Sequence, residues 1–417
     1  MTKINKGSFQ DEAVKGLTHR TAMEEASRCL LCHDAPCSKS CPANTNPAKF
    51  IRSIRFRNVK GAAETIRENN ILGGTCARVC PYDRLCEEAC SRCGIDRPIQ
   101  IGLLQRYAIE QEEIFNMKTL KAPEQKKSQK IACIGSGPAS LAVAAELAKN
   151  GYVVTVYERE EKAGGMLTYG IVPSRLPQHV VEHDIKQVEN LGVKFVFKKS
   201  PTKDELDKFD AVFIGTGLWG SNMPNIDGIG LKGVYSAVEF LKTANTKKEQ
   251  FNFGKKVVVV GGGDVAIDCA VAAKLLGAED VKIVYRRTLE EAPANVNEFH
   301  YALSLGISIT TGMSPDKIKG EETVKSIEFE GFKNKEDKLA LSVDTVVFAT
   351  GQVAEKIDAI SDLKINSKGL ICVSESKAKD KYFAAGDIAN GGKTVVEAVK
   401  EGKEAASAIM KYLETKK

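Results

Sequence analysis

Long apolar runs are missing from this 417-residue chain. A membrane-spanning helix needs roughly 18 or more consecutive apolar residues, and no segment comes near that, so no membrane association is expected. The opening MTKINKGSFQDEAVKG is polar and lacks the apolar centre of a secretory signal, which points to a cytoplasmic (cytosolic) protein. Aromatic residues are scarce, 6% of the chain with a single tryptophan, and the excess of six positive charges is scattered rather than drawn into a stripe. Nucleic-acid binding needs a clustered basic surface and is not expected. Absent as well is any C-x-x-C pair beyond residue 128, where only Cys133, Cys269 and Cys372 occur, so a dithiol relay there is not expected either.

What is present suits a soluble chain able to bury real cores, with 43% apolar and 27% charged residues and a length that asks for two or three domains. Nine of the twelve cysteines lie between Cys29 and Cys93. In a reducing compartment such density signals metal ligation rather than a disulfide framework. Their order is Cys29-x2-Cys32-x4-Cys37-x3-Cys41-Pro42, then Cys76-x3-Cys80-Pro81-x5-Cys86-x3-Cys90. A fourth cysteine placed before proline is the bacterial ferredoxin arrangement, in which that residue serves the other of two clusters. A zinc ribbon would show two C-x2-C pairs across a spacer. The irregular spacing therefore favours two [4Fe–4S] clusters over structural zinc. His33, beside Cys32, reads as an exposed imidazole. The other three cysteines sit in the apolar runs IACIG, AIDCAV and LICVS and read as packed core thiols.

Helical stretches accompany the cysteines. One opens at Pro47 after Asn46 and runs through KFIRSIRFRN. Another follows Pro98, with Gln105 on the apolar stripe of Ile101, Leu104, Ala108 and Ile109. A polar linker, KTLKAPEQKKSQK, then gives way to short apolar runs alternating with helices, the pattern of a parallel α/β sheet. Residues 130–159 and 256–287 repeat the same order: strand, glycine turn, helix with small residues, strand ending Val-Tyr. Two dinucleotide-binding units are expected.

In the first unit, Gly135-Ser136-Gly137-Pro138-Ala139-Ser140 forms the glycine turn. Gly135 permits the tight turn, and Gly137 lets a pyrophosphate approach a helix N-terminus. Glu158 ends the next strand, where a carboxylate can accept ribose hydroxyls, as suits FAD. The second unit carries Gly261-Gly262-Gly263-Asp264-Val265-Ala266, with Arg286 and Arg287 at the place of Glu158. These guanidinium groups could read a 2′-phosphate, although Glu290 and Glu291 would repel one if they faced it. A third piece, Gly386-Asp387, lies between a strand and a helix, as beside the flavin of two-dinucleotide reductases. The chain thus leaves the flavin domain, builds a nucleotide domain and returns. His179-Val180-Val181-Glu182-His183 matches a metalloprotease pattern but falls on what reads as a surface-type amphipathic helix, and the match reads as chance.

The segments SRCLLCHDAPCSKSCPANTNPAKFIRSIRFRNVKGAAETIREN, CARVCP, IGSGPAS, GGM…RLP and AAGDI resemble the PreT-type subunits of bacterial NAD-dependent dihydropyrimidine dehydrogenase and the amino-terminal part of the long eukaryotic enzyme. The small subunit of glutamate synthase is more distantly similar. Ser140 matches the eukaryotic form of the turn. The resemblance implies a mixed α/β chain: a helical iron–sulfur domain followed by two Rossmann-like domains of the two-dinucleotide flavoprotein type. The expected boundaries are 1–127 for the helical domain, 128–225 and 351–417 for the two parts of the FAD domain, and 226–350 for the inserted NAD(P) domain. It also implies one cluster on Cys29, Cys32, Cys37 and Cys90, and a second on Cys41, Cys80, Cys86 and Gln105, with Cys76 as the competing fourth ligand. Flavin contacts would include Glu158, Gly165, Leu167, Arg175, Asp387 and Thr394. Nucleotide contacts would include Gly263, Asp264, Arg286 and Arg287. Near Glu291 the long enzyme has a further arginine, so either NADH or NADPH is expected as donor. The implied activity is hydride transfer to FAD and single-electron transfer through the clusters to a PreA-like FMN and iron–sulfur partner that reduces uracil or thymine. No pyrimidine site and no catalytic side chain is visible in this chain. A glutamate synthase small subunit or an NAD(P)H–ferredoxin oxidoreductase would share these parts, and a zinc-stapled scaffold is the non-enzymatic alternative.

Overall fold

The computed structural model describes residues 7–416, so the first six residues of the polar N-terminal stretch lie outside it. The cysteine-rich part is helical. Its main helices are α1 (His19–Ser27), α2 (Pro47–Arg55), α3 (Val59–Asn69), α4 (Gly73–Val79) and α5 (Ile101–Ile114). Asn46 caps α2 by accepting from Lys49 N at 3.0 Å, with Pro47 at the first helical position. Asn58 does the same for α3 through Gly61 N at 2.9 Å. Phe50, Ile51, Ile54, Ile66, Leu104 and Tyr107 bury their side chains together, each contributing about 1.5–3 kcal/mol.

A six-stranded sheet follows, in the order Lys377–Lys379, Tyr382–Ala384, Ala211–Ile214, Lys130–Ile134, Val153–Tyr157, Lys194–Val196. All its pairings are parallel except that of the Lys377–Lys379 edge strand. Helices α6 (Pro138–Lys149) and α7 (Gln178–Asn190) belong to this part. Inserted in the chain is a five-stranded parallel sheet in the order Val234–Ser236, Thr345–Phe348, Lys256–Val260, Asp280–Tyr285, Ser308–Thr311, with helix α8 (Asp264–Leu275) after its third strand and an antiparallel three-stranded meander at 313–342. The two strand–helix–strand repeats occupy equivalent central positions in their sheets. The chain then returns to the first sheet and ends in α9 (Val395–Glu414), whose N-cap Thr394 forms a reciprocal capping box with Glu397.

By contacts the chain forms two units. One holds residues 16–168, 178–218 and 354–417; the other holds 7–15, 169–177 and 219–353. The changeovers after residue 177 fall at 218/219 and 353/354, and the helical part and the six-stranded sheet share one unit.

A buried ionic junction helps to join them. Arg67 of α3, with no exposed side-chain surface, donates to Glu112 of α5 at 2.7 and 2.9 Å, to Asp184 of α7 at 2.5 Å and to the Ile71 carbonyl at 2.5 Å. Asp184 also accepts from Gly74 N and Thr75 N at the start of α4, at 3.2 and 2.8 Å. His183 Nε2 lies 3.1 Å from Glu112 Oε2. The helix carrying the His-x-x-Glu-His pattern is amphipathic, with His179 and Glu182 exposed and Val180, Val181 and Asp184 buried, and the pattern's second histidine serves the junction. Of the three expected core thiols, Cys133 and Cys269 are buried, whereas Cys372, between edge elements, is only half-buried.

Candidate functional site

The first glycine turn is shaped by close approach. Gly135, at φ +88°, lies so near the Gly215 carbonyl that a Cβ would come within 2.7 Å of it. Gly137 caps α6 and has nothing nearer to its missing Cβ than 3.9 Å, which leaves its backbone open to a ligand at the helix N-terminus. Gly165, at φ +56°, sits against it, its missing Cβ 3.0 Å from Gly137 Cα. Glu158 is buried at the end of the second strand. One carboxylate oxygen accepts from Ser136 N at 3.0 Å and from the Ser136 hydroxyl, and the other accepts from Glu160 N at 2.8 Å. The carboxylate thus braces the turn and keeps one acceptor position for a ribose hydroxyl. Thr216 Oγ1, beside Gly215, is buried without a partner among the described residues. Open helix N-terminus, terminal carboxylate and orphaned hydroxyl together fit a dinucleotide.

The C-terminal return closes on this turn. Gly386, at φ +72°, has its missing Cβ 2.9 Å from Ala139 Cβ and donates its N–H to Glu401 at 2.9 Å. Asp387 accepts from Lys393 N at 3.1 Å, and burial raises its carboxyl pKa. Leu167 is buried just after Gly165, and Gly402 brings α9 onto the Ala139 carbonyl. Ser140 is buried in α6, where its hydroxyl occupies the space a Cβ on Gly215 would need. Arg175 is engaged by acids of the inserted part. Its guanidinium lies in the nucleotide unit, 2.6 Å from Asp268 of α8 and 3.7 Å from Glu298, because two acids offset the cost of burying it.

In the second turn, Gly261 (φ +154°) would place a Cβ 2.6 Å from the Ala349 carbonyl, and Gly262 would drive one into the Tyr285 ring. Gly263 caps α8, and Asp264 accepts from Asn295 N at 2.8 Å. Val265 follows in the helix, half-buried. Arg286 and Arg287 are exposed, the former 5.7 Å from the Phe332 ring centre. Glu291 is engaged by Thr288 N at 3.1 Å, and this bond holds its carboxyl below the usual range.

Two groups of thiols gather in the helical part. Burial raises the Cys37 thiol to about 11, with Cys90 and Cys29 adding to the effect, and Cys29 is raised by burial and by Cys90 and Cys32. Cys32 Sγ is 3.5 Å from Ser91 Oγ. The second group surrounds a cavity of about 30 Å³ whose wall includes Cys41, Cys76, Cys80, Cys86, Thr45 and Gln105. Cys80 is raised by its hydrogen bond with Cys76, by burial and by the charges of Cys76, Cys86 and Cys41. Gln105 Nε2 donates to the Gly73 carbonyl at 2.8 Å, with the amide oxygen as its remaining polar atom. Val396, in the first turn of α9, completes the wall. Lys403 of the same helix donates to the Ala43 and Asn69 carbonyls, both at 2.8 Å, and so holds the loop that follows Cys41. Among the described residues no three His, Cys, Asp or Glu side chains converge as ligands of a metal ion. The fit to a cluster lies in the donor chemistry: half-buried thiols raise one another's pKa, and a cationic iron core relieves that cost.

Residues 5–117 match the family model for dihydropyrimidine dehydrogenase domain II, 4Fe-4S cluster, and residues 129–402 match pyridine nucleotide-disulphide oxidoreductase. Over 414 residues, 98% of both chains, the sequence is 43% identical to the NAD-dependent dihydropyrimidine dehydrogenase subunit PreT of Escherichia coli K12. Identity to its Salmonella typhimurium counterpart is 41% over the same coverage. The chain belongs to the PreT family. Like other PreT-type chains it is a flavin- and iron–sulfur-dependent oxidoreductase, an electron-input subunit driven by NAD(P)H. Solved structures share the fold of the PreT flavoprotein part. FprA of Mycobacterium tuberculosis (His57Gln mutant) aligns at TM-score 0.61 and 19% identity, covering 69% of this chain and 85% of that one. Lactococcus lactis thioredoxin reductase aligns at 0.57 and 21%, covering 69% and 100%. No helix among the described residues is long and apolar enough to cross a membrane.

Sequence reasoning found the glycine turns and the cysteines but missed Lys403, Val396 and Thr45. Each reaches the cavity wall or its loop without a motif of its own, and only the TNP run after Cys41 hinted that Thr45 precedes a helix start.

Proposed function

We propose that this chain takes a hydride from NADH or NADPH onto FAD held at the Gly135–Ser140 turn, and passes single electrons to an FMN and iron–sulfur partner that reduces uracil or thymine. The observation that carries this reading is the continuity of α9. The segment before it bears Asp387 and ends on its cap Thr394, Gly402 touches the first glycine turn, and Val396 walls the thiol cavity. A bound flavin converts a two-electron donor into one-electron output. Cys41, Cys80, Cys86 and Gln105 would hold one cluster, and Cys29, Cys32, Cys37 and Cys90 the other. Gly263 and Asp264 would receive the nucleotide diphosphate, with Arg286 and Arg287 at the ribose. The domain borders at 127/128, 225/226 and 350/351 are part of the same reading. The relatives' name supports the pyrimidine substrate and NADH.

The test is anaerobic. Purified chain should be brown, carry flavin and lose cluster absorbance on adding NADH. Mixed with a candidate FMN and iron–sulfur subunit, it should oxidise NADH only when uracil or thymine is present. NADH oxidation that instead requires ferredoxin, or glutamine with 2-oxoglutarate, would move the chain to one of the sister activities.

Two substitutions check the nucleotide sites. Glu158→Ala should weaken FAD binding roughly 10- to 100-fold, the loss of a charge-assisted hydrogen bond of about 1.5–3 kcal/mol, with iron content near normal. Flavin affinity equal to wild type would remove Glu158 from the site. Arg286→Ala should raise KM for NADPH while leaving KM for NADH nearly alone. Equal changes for both, or a wild type indifferent to NADPH, would show that Arg286 does not read a phosphate.

A further inference from the structure

Thr45 stands out on the wall of the thiol cavity. It is 2% exposed, and its Oγ1 is buried with no hydrogen-bond partner among the described residues. A hydroxyl buried in that state is costly, so a partner is expected from whatever fills the space. The backbone around it is already engaged. The Cys41 carbonyl accepts from Asn44 N at 3.0 Å, and the Ala43 carbonyl accepts from Lys403. Tyr82, another hydroxyl on the same wall, donates towards the Ala77 and Arg78 carbonyls at 3.4 and 3.3 Å. Apart from the Gln105 amide oxygen, which the ligand reading gives to the metal, the acceptors this cavity offers are sulfurs, from the thiolates and from the inorganic sulfide of a cluster.

We propose that the Thr45 hydroxyl donates a hydrogen bond to a sulfur of the cluster bound by Cys41, Cys80 and Cys86, and thereby sets that cluster's reduction potential higher than its thiolates alone would give. The physical basis is charge. Reduction adds an electron to the cluster, and a hydrogen-bond donor aimed at its sulfur stabilises the extra negative charge, favouring the reduced form. Thr45 is then a positioning residue for electron flow and not a ligand. The loop Cys41–Thr45, held by Lys403, fixes both the ligand and the donor.

This rests on the ligand reading above, and the experiment separates the two. Full-length Thr45→Val, Thr45→Ala and Thr45→Ser proteins are prepared anaerobically. Iron, sulfide and EPR-monitored redox titrations are measured for each. Wild type should show two clusters. Thr45→Val and Thr45→Ala, which lack a donor, should move the midpoint of one cluster to lower potential and leave the other in place, while Thr45→Ser keeps the wild-type midpoint. If valine does not assemble, the alanine–serine pair decides alone. Unshifted midpoints in the donor-less variants, or the same shift in Thr45→Ser as in Thr45→Ala, would overturn the proposal. A wild-type chain with a single cluster would overturn the ligand reading beneath it.

Discussion

Exchanging Arg67 for methionine should destabilise the unit that joins the helical part to the six-stranded sheet by about 3–5 kcal/mol, because it leaves carboxylates buried without their cation. Arg67, Glu112 and Asp184 all have fully buried side chains, and they come from three different helices. Arg67 also satisfies the Ile71 carbonyl, so methionine would strand a backbone acceptor as well. Denaturant unfolding followed by circular dichroism measures the effect, and a loss under about 1 kcal/mol would show that the junction is dispensable. The same junction gives a pH dependence. Burial alone would raise the Glu112 pKa, but Arg67, His183 and Thr119 overcome this and hold it at about 2, below the usual 4.5. A depressed carboxyl contributes stability that is complete above 4.5 and is lost as pH falls towards 2. Wild type should therefore lose stability across that window, and a Glu112→Gln protein should lose less of its own.

The second large effect concerns iron. Cys80→Ala or Cys86→Ala should remove about half of the bound iron, one of two four-iron clusters. The fourth ligand of that cluster offers a sharper test. Cys76 is buried inside α4 and shares a hydrogen bond with Cys80, so it belongs to the cavity on geometry alone. Gln105 also lines the cavity, with its nitrogen already given to Gly73. Ligation through the amide oxygen makes the cluster less negative than four thiolates would, so its potential should sit higher. Cys76→Ala is expected to keep both clusters, and Gln105→Ala to alter one EPR signal or lose iron. Loss of about half the iron in Cys76→Ala, with Gln105→Ala silent, would assign the place to Cys76.

Local patterns are legible in the amino-acid sequence itself. The glycine turns, the Val-Tyr strand endings and the cysteine spacing each span few residues and impose their own backbone, so the repeat and the helical start at Pro47 can be read directly. The junction cannot. Arg67 meets Asp184 across 117 residues of chain, and nothing in the periodicity of α7 marks its polar positions as buried. Arg175 shows the same limit: nothing in its local sequence announces Asp268 and Glu298 as its ion-pair partners.

Lys403 ties together parts of the chain that are synthesised far apart in time. Its partners are the carbonyls of Ala43, 360 residues earlier, and Asn69. At about 5–20 residues per second, the ribosome needs roughly 20–70 s to travel from the first partner to the lysine. Throughout that interval the Cys41 loop lacks this long-range anchor, and the part of the wall that Val396 supplies does not exist. Iron delivered to this cavity during synthesis would meet thiols that still lack the wall residue and the loop anchor α9 brings.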